Sequence, residues 1–271
     1  MPNPMLNEAA LERAAKAGWG APDPATRATP IPPITDGPVS TWDPRVMTVS
    51  GTASATGVLL VLLLASATVG WISGPDASDL SPKFPMAAIA GVIVGLVCVI
   101  WASFKPMMAK ILAPIYALGE GFFVGAISKA YNNWQNGIVI QALGATLAVF
   151  AVMLVLYKTR VIKVTDRLRR TVIAATAGLM LFYLVSFVIH LVTGSGVSFL
   201  NSSSGLGIAF SVLAAGLAAF NLALDFDFIE RGAARQMPKG MEWFAALGLL
   251  VTLVWLYLEM LRLLAKLQDR R

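Results

Sequence analysis

Seven apolar runs of about twenty residues each constrain this chain more than any other feature. They fall at 51–72, 84–104, 107–128, 137–157, 171–192, 205–229 and 241–261. A helix rising 1.5 Å per residue needs about twenty residues to cross a hydrocarbon core about 30 Å thick, so each run is long enough for one crossing. The stretches between them, "SGPDASDLSPK" and "TGSGVSFLNSSSG" among others, are rich in the Gly, Pro, Asp and Ser that end helices and make turns. No run alternates with period two, which disfavours a closed barrel, the other backbone arrangement that satisfies its own polar groups in lipid. Residues are 57% hydrophobic and 13% charged, too little polar surface to coat a soluble globule. The expected fold is an all-α integral membrane protein, a seven-transmembrane-helix bundle over residues 49–271 whose first partner is the lipid bilayer.

Residues 1–48 differ in kind. "APDPATRATPIPPITDGP" is Pro-rich and offers little apolar surface to bury, so the expectation is a disordered tail. A short amphipathic helix at "MLNEAALERAAKAG" is expected within it, since Leu6, Ala10 and Ala14 share a face. No basic stretch followed by an apolar core precedes the first run, which therefore serves as the insertion signal. The one cysteine, Cys98, has no intrachain partner for a disulfide and belongs to no metal motif.

Lysine and arginine are distributed unevenly between the loops. "KTRVIKVTDRLRR", between runs four and five, is very basic, while "TGSGVSFLNSSSG", between five and six, has no basic residue. The first is therefore expected to be cytoplasmic. The tail with Arg13, Lys16, Arg27 and Arg45, the turn with Lys105 and Lys110, and "ERGAARQMPKG" then share its side, giving a cytoplasmic N-terminus. The basic C-terminal "RLLAKLQDRR" falls on the opposite side and breaks the rule. A re-entrant seventh segment, returning that end to the cytoplasm, is the alternative. These loops account for the formal charge of +6 by attraction to anionic headgroups, and no nucleic-acid partner is expected.

Ionisable groups inside apolar runs are costly and mark function by default. Glu120, in "APIYALGEGFFVGAIS", sits near the middle of the third run, with Gly119, Gly121 and Gly125 allowing close approach of another helix. It reads equally as a functional acid or as a structural hydrogen-bonding one. Asp225 and Asp227, in "LALDFDFIER", are two positions apart, so about 200° separates them on a helix and they face different neighbours. Asn221 lies one turn before Asp225 and shares its face, making Asp225 the interior candidate. Asp227, with Glu230 and Arg231, reads as a wet helix end, although a carboxylate there opposes the macrodipole and could respond to protons. Glu242 precedes Trp243 as an interfacial anchor. Glu259 has Arg262 three residues on, an expected ion pair near the outer interface. His190 reads as an interfacial residue, and Gly91 and Gly95 as a small-residue packing face. No HExxH, P-loop, GxGxxG after a strand or Ser/His/Asp set is present, so neither an enzyme nor a resident cofactor is expected.

"PIYALGEGFFVGAIS" resembles the EG-x-x-x-G segment of the Bax inhibitor-1 family, also called transmembrane Bax inhibitor motif or YccA-like proteins. "NLALDFDFIERG…MEWFAALGLLVTLVWLYLEMLRLL" is similar to the family's sixth and seventh helices, especially in a bacterial branch. The resemblance runs from about residue 49 onward and leaves out the tail. It implies six helices around a central seventh, a Ca²⁺ leak sensitive to pH, and a sensor made of two hydrogen-bonded aspartates. By its D-x-x-x-I spacing to Ile229, Asp225 matches the first aspartate; Thr252 stands where the second would be. Two carboxylates sharing a proton titrate as a pair, whereas Thr leaves a simple hydrogen bond. Asp227, Glu120 and Glu259 are the acids that could pair with Asp225 instead.

The expected function is a pH-sensitive cation leak channel or transporter in a bacterial inner membrane, with Ca²⁺ as the ion and protonation of intramembrane carboxylates as the gate. Hard cations take oxygen ligands, and Asp225, Glu120, Asn221 and Asp227 are the donors at depth, with Asp225 and Glu120 the candidate Ca²⁺ path. The alternative is a non-conducting protein that binds other membrane proteins, its tail serving as a partner-binding arm.

Overall fold

A computed structural model of the chain describes residues 46–74, 85–193 and 203–270. Residues 1–45 of the expected tail, its short helix and the side chain of His190 lie outside the described residues, whereas residues 46–48, expected as the end of that tail, are ordered, with Met47 buried and bonded to Met237. Among the described residues, seven helices are each long and apolar enough to cross a membrane. They are α1 (Val49–Ser73), α2 (Met86–Phe104), α3 (Ala109–Trp134), α4 (Ile138–Lys158), α5 (Asp166–Thr193), α6 (Gly205–Ala234) and α7 (Met241–Asp269). Among the described residues the only β pairing is one isolated bridge between Val46 and Pro238.

Several helices outrun the apolar runs that predict them, α3 by six residues and α7 by eight. An apolar run marks where lipid must be faced, whereas a helix stops where its end groups find other partners. Local chemistry sets those stops. The Thr48 hydroxyl accepts from the Gly51 amide at 2.9 Å to start α1, and Ser204 does the same for Gly207 at 3.2 Å in α6. Gly137 enters α4 at φ 86°, a left-handed conformation that favours glycine.

α7 is the centre of the bundle. It packs against α1, α3, α4 and α6, and Leu250, Leu256 and Leu261 are fully buried along it. α2 leans on α3, and α5 on α6. Of the six helices around the seventh, four pack closely against it and two lie further out, α5 reaching it through the Tyr183 side chain. One apolar cluster joins Leu59, Tyr116 and Ala117 to Leu250 and Leu261. The other joins Leu222 and Phe226 to Leu249 and Leu256.

Lipid tails are as apolar as leucine, so helices in a bilayer associate through close packing and polar contacts. α3 shows this on two faces. A Cβ placed on Gly91 of α2 would overlap the Gly119 carbonyl, and one on Gly125 would overlap the Ala67 carbonyl of α1. Gly121 likewise abuts Leu63 and Ser66. The glycines that flank Glu120 in sequence thus divide between two neighbouring helices.

The ends of the bundle are tied by specific bonds. At one, here called the basic end, the Met47 amide donates to the Met237 carbonyl at 2.7 Å and Gly240 meets Met107. At the other, Gln268 of α7 meets Gln141 of α4 at 3.1 Å. α7 is a single uninterrupted helix of 29 residues, so the re-entrant alternative is not what forms.

Candidate functional site

The acids singled out in the sequence are distributed over three levels of the bundle. Nearest the basic end lies Asp227, only 6% exposed. Arg169 of α5 pairs with its Oδ2, and Arg231, one turn along α6, donates to its Oδ1 at 2.9 Å. Arg231 also donates to the Val164 carbonyl at 3.2 Å, fastening the α4–α5 loop. The wet helix end expected for Asp227 is instead a buried carboxylate held by two guanidinium groups, because α5 brings Arg169 over it. Beside it, half-exposed Glu230 accepts from the Tyr157 hydroxyl and pairs with Arg160. Arg160 sits at φ 60° just past the end of α4, the left-handed position at which helices often stop. Hydrogen bonding and charge from Glu230 hold the Arg160 guanidinium above its ordinary pKa.

Glu242 also departs from its expected role. It is buried at 5% exposure, and its Oε1 accepts from both the Thr48 amide and the Thr48 hydroxyl, each at 3.0 Å. It anchors the start of α1 on the first turn of α7 rather than facing the interface.

At the middle level stands Asp225. It lies nine residues before the end of α6, about 14 Å along the axis. Its side chain turns toward α7, beside Thr252 and Gly248. The Thr252 hydroxyl itself donates to the Gly248 carbonyl at 3.2 Å. Oδ2 of Asp225 is buried with no hydrogen-bond partner among the described residues, and none of the ion pairs found among them includes Asp225. Gly248, one turn before Thr252, lines the same α7 face, and a Cβ there would meet Oδ1 only at ordinary contact distance, 3.8 Å.

Asn221 does not join Asp225. Its amide donates to the Thr176 hydroxyl of α5 at 2.8 Å and to the Leu217 carbonyl at 2.9 Å. Residues four apart on a helix differ by about 40°, enough to send these two to different neighbours. Glu120 is separate as well: Gly95 of α2 and Tyr116 of its own helix border it, at the α2–α3 contact rather than the α6–α7 contact. Asp225 therefore finds none of the three acids considered as its partner.

The third level is Glu259, 2% exposed. Arg262 donates to both its oxygens at 3.0 and 3.1 Å; the Tyr183 hydroxyl donates at 2.8 Å and Trp255 Nε1 at 3.3 Å. The expected ion pair forms, but deep in the bundle and fully ligated. Lys266, 5% exposed, donates to the Gly207 carbonyl and the Ser211 hydroxyl, both at 2.9 Å. Two charges of the basic C-terminal stretch thus lie within the helix packing. The positive-inside rule counts loop charges, so these do not contradict the arrangement expected from the other loops.

Three of these contacts lie on one stripe of α5. Arg169, Thr176 and Tyr183 are spaced by sevens, nearly two helical turns, and reach Asp227, Asn221 and Glu259 in succession. Val172, Leu179 and Ser186, also spaced by sevens, are the buried residues beside them. Sequence reading missed Arg169 and Tyr183; the heptad spacing is the signal that could have found them.

Among the described residues no group of three or more His, Cys, Asp or Glu is arranged to hold a metal. The middle level offers a single unpaired carboxylate and a hydroxyl, a set suited to exchanging a proton or meeting a passing cation rather than retaining one.

The chain matches the family described as Bax inhibitor 1 like over residues 3–269. The match extends through the N-terminal segment that the motif resemblance leaves out. No curated protein matches the chain.

Proposed function

The chain belongs to the Bax inhibitor 1-like family, and we propose that within it this protein is a pH-responsive cation leak pathway, with Ca²⁺ as the permeant ion and the Asp225 carboxylate as the switch. The carrying observation is the isolation of Asp225. Asp227 and Glu259 are neutralised by arginines and Glu242 is spent on capping α1, while Asp225 has a buried oxygen with no hydrogen-bond partner among the described residues. An ionised carboxylate away from water requires a counter-charge, which a proton or a passing cation supplies. Protonation would let Asp225 donate to a neighbouring carbonyl or hydroxyl of α7; ionisation would loosen the α6–α7 contact and admit a cation.

The path we propose runs along α6 and α7, past Asp225 and Thr252. Glu120 belongs to a separate interface and contributes an independent acid. The positive-inside rule supports the basic end being cytoplasmic, and the setting we propose is a bacterial inner membrane.

The test is Ca²⁺ flux into proteoliposomes over a pH series, for wild type and Asp225→Asn. Asn mimics the protonated carboxyl, so the variant should keep the low flux of the protonated state at every pH. Wild-type pH dependence in the variant would remove Asp225 from the mechanism, and absence of flux from wild-type protein at every pH would favour a non-conducting interaction protein.

A further inference from the structure

The molecule contains a second feature that the ion pathway does not use. α1 and α4 hardly touch, and the gap between them is a cavity of about 610 Å³ floored by α6 and α7. Its mouth lies among exposed Ala53, Gly57 and Leu154, on the surface that faces lipid. Its inner wall is Phe150, Phe226 and Leu249.

The wall makes no polar demands. The Thr52 and Thr56 hydroxyls donate to carbonyls of their own helix, at 2.9 Å each, and the Tyr157 hydroxyl is committed to Glu230. The charge is confined to the rim at the basic end, where Lys158, Arg160 and Glu230 stand, leaving one net positive charge. Arg160 is paired with Glu230, whereas Lys158 is exposed and enters none of the ion pairs found among the described residues. From Phe150 to Lys158 the groove runs about 12 Å along α4, from hydrocarbon depth to headgroup level.

We propose that this groove is a binding site for one anionic phospholipid, its acyl chain lying between α1 and α4 and its phosphate on Lys158. The volume falls within the range of ordinary ligand pockets. The charge complementarity is one-sided: a cationic rim over a dry apolar slot selects an amphiphile with a negative head, and the leaflet at the basic end supplies it. A soluble anion would leave the slot empty, and a neutral lipid would leave Lys158 unanswered.

The test uses full-length protein in mild detergent, with native mass spectrometry counting retained phosphatidylglycerol or phosphatidylcholine. One phosphatidylglycerol should be retained in preference to phosphatidylcholine. Lys158→Ala should weaken it about fivefold and Lys158→Glu roughly tenfold or more. Gly57→Phe should abolish it by filling the slot; a Cβ at Gly57 meets nothing within 4 Å, so the variant's melting temperature in lipid-free detergent should match wild type. Equal retention of both lipids, retention that survives Gly57→Phe, or equal binding and displacement by soluble glycerol phosphate would each overturn the proposal. So would phosphatidylglycerol binding that appears only after residues 1–40 are deleted, which would make the chain's own N-terminal segment the occupant.

Discussion

Replacing Asp227 by alanine should expose how much the basic end depends on one buried carboxylate. The Asp227 side chain is 8% exposed, and it is shared by Arg169 and Arg231, whose side chains are 35% and 38% exposed. Each charge-assisted hydrogen bond contributes about 1.5–3 kcal/mol. Both arginines are exposed enough to recover water, so we expect Asp227→Ala to cost about 2–4 kcal/mol rather than the sum of two buried pairs. Arg169→Ala leaves Asp227 with Arg231 and should cost about 1–2 kcal/mol. The double variant then reads the coupling. If Arg169 and Asp227 act on each other, the pair should show an interaction of about 1–2 kcal/mol in reversible unfolding from a bicelle or micelle. Additivity within about 0.5 kcal/mol, the behaviour of independent sites, would refute the pairing and with it the role of Asp227 in fastening α5.

Gly125→Ala should destabilise the bundle severely, because the added carbon overlaps the Ala67 carbonyl of α1, whereas Gly144→Ala, with nothing within 4 Å, should be neutral or slightly stabilising. Melting temperatures in detergent compare the two, and equal effects would contradict the close α1–α3 seam. Glu242→Ala removes the acceptor for the Thr48 amide and hydroxyl and should cost about 1–2 kcal/mol. Hydrogen exchange should show the gain in amide exchange concentrated in the first turn of α1, and unchanged protection there would count against the anchor.

The architecture is legible in the sequence because a bilayer asks each crossing to satisfy one requirement locally, a sufficient length of apolar helix. That requirement leaves its mark in every span from α1 to α7. The glycine seam is legible too, since Gly91, Gly119 and Gly125 declare close approach without saying to which helix. The site is harder. Helical geometry correctly separates Asp225 from Asp227, but the company each keeps is a matter of tertiary placement. Arg169 is 58 residues from Asp227 and Glu242 is 194 from Thr48, distances over which no local periodicity speaks. Asn221 shows the limit most clearly: a shared helix face is about 40° wide in its imprecision, and at the seam between α5 and α7 that is the difference between two neighbours.

The polar stripe of α5 has a consequence for how that helix can move. Its three bonds are spaced evenly, and each meets a different residue: the Asp227 carboxylate, the Asn221 amide and the Glu259 carboxylate already crowded by Arg262. A slide of one turn, about 5.4 Å, would leave all three between partners, and only a slide of nearly two turns, about 10.5 Å, would bring Thr176 to Asp227 and Tyr183 to Asn221 with Arg169 beyond both. A rotation of one residue would turn all three into lipid. α5 is therefore keyed like a tumbler: it can be seated or released as a whole, with no intermediate notch along its track.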